Sequence, residues 1–76
     1  MITVRLYGLL RLDSGIKSRE LEADTVRDVL DYLHSQGISR QDLHGCVILI
    51  NGKSGSKRSK LQSGDVVQLM SPVAGG

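Results

Sequence analysis

One apolar stripe constrains this chain more than any other feature. Val26, Val29, Leu30 and Leu33 fall at i, i+3, i+4 and i+7, which is a single face of an α-helix. Thr25 with Asp28 three residues on forms a capping box, weakened because Asp reaches back less well than Glu. Asp24 and Asp28 also suit the positive end of the helix dipole. Arg27, Asp31 and His34 lie off the stripe, and Gly37 is placed to stop the helix at C′. A helix with one apolar face must bury it against other elements of the chain.

Those elements read largely as strands. Ile2-Thr3-Val4-Arg5-Leu6-Tyr7 alternates with period two, which places Ile2, Val4 and Leu6 toward a core. After Gly8, residues 9–15 break the alternation and read as a loop. A second strand is expected over 17–22, antiparallel to the first, with Leu21 inward. Beyond the helix, Ile38 is expected to fold back beneath it, with one further turn at 39–43. Cys46-Val47-Ile48-Leu49-Ile50 is a continuous apolar run closed by Asn51-Gly52, a strong turn signal. Such a run fits a strand buried on both faces or one with an exposed apolar face. Residues 53–60, KSGSKRSK, read as a basic, polar loop; Leu61 starts the return, and Ser63-Gly64-Asp65 is a turn before a last strand at 65–70.

The order is therefore β-β-α-β-(short strand)-β. First and last strands can lie parallel in the middle of the sheet, joined by the right-handed crossover. The expected class is α+β, a β-grasp or ubiquitin-like roll. A mixed sheet of four to five strands wraps one main helix over residues 1–70, with a flexible, extended Gly-Gly tail over 71–76.

Seventy-six residues make one domain. At this size only about 60% of the unfolded chain's surface is buried, which leaves no room for an enclosed active site beside a core. Aromatic residues are 3%, with no Trp or Phe, so the base-stacking platforms of a single-strand nucleic-acid binder are missing. Cys46 is the single cysteine and has no metal-ligand spacing with His34 or His44. It begins an apolar strand and reads as a buried thiol rather than a sulfur relay. No apolar run approaches the ~18 residues of a membrane span and no secretory signal opens the sequence, so a soluble, cytoplasmic protein is expected. The basic loop with Lys53, Lys57, Arg58 and Lys60 reads as solvated. An anionic ligand or an acidic partner surface is a further reading of that loop, ahead of nucleic acid.

The C-terminal residues Ser71-Pro72-Val73-Ala74-Gly75-Gly76 have a chemistry of their own. Pro72 has no N–H to give a neighbouring strand and pushes Ser71 toward an extended conformation, so the ladder should stop near Met70. Val73 and Ala74 carry the chain outward. Gly75 and Gly76 fit a channel too narrow for a Cβ, and six extended residues reach roughly 20 Å. What they deliver is the carboxylate of Gly76.

With those residues in view, the chain resembles the ubiquitin-like sulfur carriers of the MoaD/ThiS family. The resemblance spans the whole sequence and is most specific in Gly64-Asp65-Val66-Val67 followed by Pro72-Val73-Ala74-Gly75-Gly76. Arg11 with Gly15, and Ile50-Asn51-Gly52, look like the branch that holds the small subunit of molybdopterin synthase. Leu12 stands where that branch often has an acidic residue, and Ser71 where it often has a first proline. The resemblance implies a carrier, not an enzyme, with no cofactor of its own. An E1-like adenylating enzyme would use ATP to join AMP to Gly76, and a sulfur donor protein would supply the sulfur of a thiocarboxylate. The large subunit of molybdopterin synthase is the implied recipient partner. Thiamin or cysteine synthesis, or isopeptide formation by a protein modifier, are the alternatives, with a plain binding module as the third class.

The partner-binding face follows from side-chain alternation. Val67 and Leu69 should face the helix, because the opposite choice would bury Gln68. That leaves Val66 and Met70 outward. Ile48 and Ile50 are the better core pair, with Val47 and Leu49 outside, and Tyr7 and Arg5 join them if the first strand lies beside the last. An exposed patch of Val66, Met70, Val47, Leu49 and Tyr7 is expected to mark a protein interface.

Overall fold

The computed structural model describes residues 1–71; the expected tail positions Pro72, Val73, Ala74, Gly75 and Gly76 lie outside the described residues. β1 (Ile2–Tyr7), β2 (Ser18–Leu21), β3 (Val47–Ile50), β4 (Lys53–Ser54) and β5 (Val66–Met70) form one sheet in the order β2-β1-β5-β3-β4. β1 and β5 run parallel at its centre, and the other pairings are antiparallel. The mixed sheet and central parallel pair are those expected, and the architecture is the β-grasp.

α2 (Val26–Ser35) lies across the inner face. Its stripe of Val26, Val29, Leu30 and Leu33 is buried with Ile2, Val4, Leu6, Val67 and Leu69. Burying each such side chain stabilises the fold by about 1.5–3 kcal/mol. The capping box is complete: Thr25 Oγ1 accepts from the Asp28 amide at 3.3 Å, and Asp28 Oδ2 accepts from the Thr25 amide at 3.1 Å. At the other end Gly37, at φ +103, lets its own amide donate to the His34 carbonyl and the Ile38 amide to the Leu33 carbonyl. This Schellman arrangement seats Ile38 beneath the helix beside Leu33. α3 (Arg40–His44) is the further turn, capped by Ser39 Oγ, which accepts from the Asp42 amide.

Two segments differ from expectation. Residues 9–15 are not a loop: α1 (Gly8–Ser14) occupies them, closed by Gly15 at φ +72. Only Leu10 of α1 is buried, so the sequence shows no apolar stripe there. The basic segment 53–60 is not wholly loop either. β4 pairs Lys53 with Ile50 and Ser54 with Leu49. The residues beyond it fold over the start of α2, where the Ser59 and Lys57 carbonyls accept from the Val26 and Arg27 amides. Those are two of the donors that a helix N-terminus leaves without intrahelical partners.

Candidate functional site

The site takes shape on the outer face of the sheet, at the end where β5 runs out into Ser71. Met70 is the last residue of β5, and the register sets it beside Tyr7 of β1 on one side and Val47 of β3 on the other. The next outward row is Arg5, Gln68 and Leu49, and below it Thr3 pairs with Val66. Alternation thus gathers Tyr7, Met70, Val47, Leu49 and Val66 on one surface. Val67 and Leu69, which face α2, are fully buried.

The patch is less bare than alternation alone suggests. Val47 is 46% exposed, whereas Leu49, Val66, Met70 and Tyr7 are half-buried. Neighbouring strands shield their flanks, and Gln68 Nε2 reaches across to donate to the Tyr7 hydroxyl at 3.1 Å. On the β2 side Arg5, Arg11 and Lys17 line a shallow cleft of about 260 Å³ beside Tyr7. The surface is an apolar row with a cationic flank. It suits a protein partner with an apolar ridge and nearby carboxylates.

The other candidates sit elsewhere. Cys46 is half-buried next to the core, and its thiol donates to the Leu43 carbonyl at 3.0 Å. Burial pushes that thiol up, outweighing the Cys46 amide and the positive charge of Lys57, which pull it down. A thiol held protonated is a poor nucleophile. His44 is exposed and lies 2.7 Å from the Lys57 ammonium. With Arg27 and Arg40 these two line a groove of about 410 Å³ between α2, α3 and the basic segment. Among the described residues no polar or charged side chain is buried, and no group of three or more His, Cys, Asp or Glu could hold a metal ion. No described helix is long and apolar enough to cross a membrane.

Sequence reasoning missed α1 and what surrounds it. Leu9 and Leu12 are exposed there, at 52% and 76%, and the Leu9 amide donates to the Ser71 hydroxyl at 3.0 Å. No local signal marks that bond, which joins residues 62 positions apart.

A β-grasp sheet whose last strand runs parallel beside its first is the fold of the ubiquitin-like class of proteins. The model of the ThiS family matches residues 4–76, and the chain belongs to that family of ubiquitin-like sulfur carriers. Among curated proteins, none matches it in sequence. Solved structures with the same fold include a chain of the complex of subunits 1 and 2 of molybdopterin-converting factor from Helicobacter pylori 26695. That chain is 24% identical with a TM-score of 0.75, over 99% of this chain and 97% of the other. A chain of the BexX/CysO complex from Amycolatopsis orientalis is 26% identical with a TM-score of 0.75, over the full length of both. Small archaeal modifier protein 1 from Methanosarcina acetivorans is 24% identical with a TM-score of 0.80, over 99% of this chain and 95% of that one. Two of these three are structures of protein–protein complexes.

Proposed function

We propose that this protein is a sulfur carrier whose Gly76 carboxylate is activated by an E1-like enzyme and converted to a thiocarboxylate that donates sulfur in molybdopterin biosynthesis. The observation that carries the reading is the family match running through Gly76, behind a strand whose outer face offers Met70 beside Tyr7 and Val47. Ionised at neutral pH, a carboxylate is a poor electrophile. Its oxygen attacks the α-phosphorus of ATP and pyrophosphate leaves. Hydrosulfide then attacks the acyl carbon, AMP leaves with the electron pair of the broken C–O bond, and the thiocarboxylate remains. Where the donor protein supplies a persulfide, the first product is an acyl disulfide, and a second thiol reduces its S–S bond to release the same group.

No side chain of the carrier takes part in these steps. The apolar outer face docks the activating enzyme first and the large subunit of molybdopterin synthase afterwards, in the cytoplasm. The protein's own role is to hold the acyl group and to be recognised. No cofactor is required by the carrier; ATP belongs to the activating enzyme. Isopeptide formation is the second reading, supported by the likeness to the archaeal modifier protein. In that case a lysine amine takes the place of hydrosulfide on the same adenylate.

The test is intact-mass analysis after incubation with the cognate activating enzyme, ATP and a sulfur source. Mass rises by the exchange of one oxygen for one sulfur, located in the C-terminal peptide. A sulfur adduct on Cys46 with the C-terminus unchanged overturns the assignment, and ladders of conjugates in cells favour the modifier.

A further inference from the structure

The first turn of α1 has no cap from its own sequence. Tyr7 stands at the N-cap position in an extended conformation and its side chain accepts nothing there. The Leu9 amide, one of the donors a helix start leaves unpaired, is taken instead by the Ser71 hydroxyl at 3.0 Å. Gly8 makes room for this contact. A Cβ on Gly8 would meet Ser71 Oγ at 2.8 Å, and its φ of +63 is itself one that side-chain-bearing residues avoid.

The location gives the bond its meaning. β1 and β5 are parallel neighbours and end together at Tyr7 and Met70. From that line one strand turns into α1, while the other leaves through Ser71 toward residues 72–76. Among the described residues the β5 ladder ends at Met70, and Pro72 has no amide to give a neighbouring strand. Among the described residues, Ser71 Oγ is a hydrogen-bonded tie between the end of the chain beyond β5 and the start of α1.

We infer that Ser71 is a positioning residue: by accepting the Leu9 amide it aims the C-terminal residues at the activating enzyme. This rests on the carrier reading above. A root already held in the productive direction leaves less freedom to be lost when those residues enter a partner's channel. Without the bond only a fraction of molecules meet the enzyme correctly aimed, and apparent affinity falls by that fraction.

The full chain is prepared as wild type, Ser71→Ala and Ser71→Thr. Three quantities are read for each: Leu9 amide hydrogen exchange by NMR, thermal unfolding, and the steady-state constants of carrier-dependent ATP–pyrophosphate exchange by the activating enzyme. Ser71→Ala speeds exchange at Leu9 and raises KM about fivefold with kcat kept, a factor in the range of one net hydrogen bond. Its melting temperature falls by no more than the several degrees that one net hydrogen bond is worth in a domain of this size, and Ser71→Thr restores exchange, melting temperature and KM. Unchanged exchange at Leu9 in Ser71→Ala overturns the cap. Faster exchange with wild-type KM shows a cap that aims nothing and overturns the positioning role. A wild-type chain that supports no adenylation sinks the carrier reading and this role together, while Leu9 exchange still reports the cap on its own.

Discussion

Asn51 grips Val66 with both its main chain and its side chain. The Asn51 amide donates to the Val66 carbonyl at 2.8 Å, and Asn51 Oδ1 accepts from the Val66 amide at 2.9 Å. At the same time Asn51 (φ +52) and Gly52 (φ +84) form the two-residue hairpin turn between β3 and β4. One residue thus closes a hairpin and starts β5 in register beside β3.

Replacing that residue separates the two roles. Asn51→Ala loses the side-chain bonds to Val66 and Asp65 and places a Cβ residue without Asn's tolerance at positive φ, so it should cost about 2–3 kcal/mol. Asn51→Gly keeps the turn and loses only the two side-chain bonds, and should cost about 1–2 kcal/mol. Urea unfolding reads both through a lower midpoint at unchanged m-value. Equal losses in the two variants would mean that the side-chain bonds, not the turn, carry the cost, and an Asn51→Gly variant as stable as wild type would mean the reverse.

Acid should act through the next residue. The Asp65 carboxyl is held below the usual range by the Gln62 amide and then by the Asn51 side chain, which donates at 2.9 Å. A depressed carboxyl contributes stability that is present above the unfolded value, about 3.9, and is lost as pH falls through the folded one. Melting temperature of the wild type should therefore fall on acidification below about pH 4 more steeply than that of Asp65→Asn. Parallel curves would assign the acid response to other carboxylates.

β5 offers a comparison between its two faces. Leu69 is fully buried, in register between Leu6 and Ile48, and Leu69→Ala should cost 2–5 kcal/mol, about the range for a buried leucine. Met70→Glu and Leu49→Glu on the outer face should each weaken binding to the activating enzyme. Their unfolding should shift little, within about 0.5 kcal/mol for surface changes and somewhat more for these half-buried sites. Calorimetric titration with thermal melts reads both quantities. Lost stability with unchanged binding would remove the outer face from the interface.

The C-terminal glycines carry a steric prediction. Adding one residue beyond Gly76, or making Gly75→Val, should abolish adenylation while leaving the melting temperature at its wild-type value. A β-branched side chain neither fits a channel shaped to glycine nor takes positive φ. Pyrophosphate-exchange rates measured on folded protein decide it, and normal rates would remove the channel argument.

Much of this was legible because the signals are local. The stripe of Val26, Val29, Leu30 and Leu33, the Thr25–Asp28 box, the Gly37 stop and the Asn51-Gly52 turn each specify their element within a few residues. Alternation also divided β5 into Val67 and Leu69 inward and Val66 and Met70 outward, since a strand has only two faces. Those local signals were enough to specify the β-grasp and the composition of its outer surface. The sequence by itself could not determine α1. The segment Gly8–Ser14 buries only Leu10 and begins without a capping side chain, and its Leu9 amide finds an acceptor in Ser71, which only the parallel pairing of β1 and β5 brings near. The same holds for Lys57 and Ser59, whose carbonyls close the start of α2. Tertiary structure decided these places because there one element's unpaired backbone groups are satisfied by another, distant in sequence, and neither segment's composition records the partner.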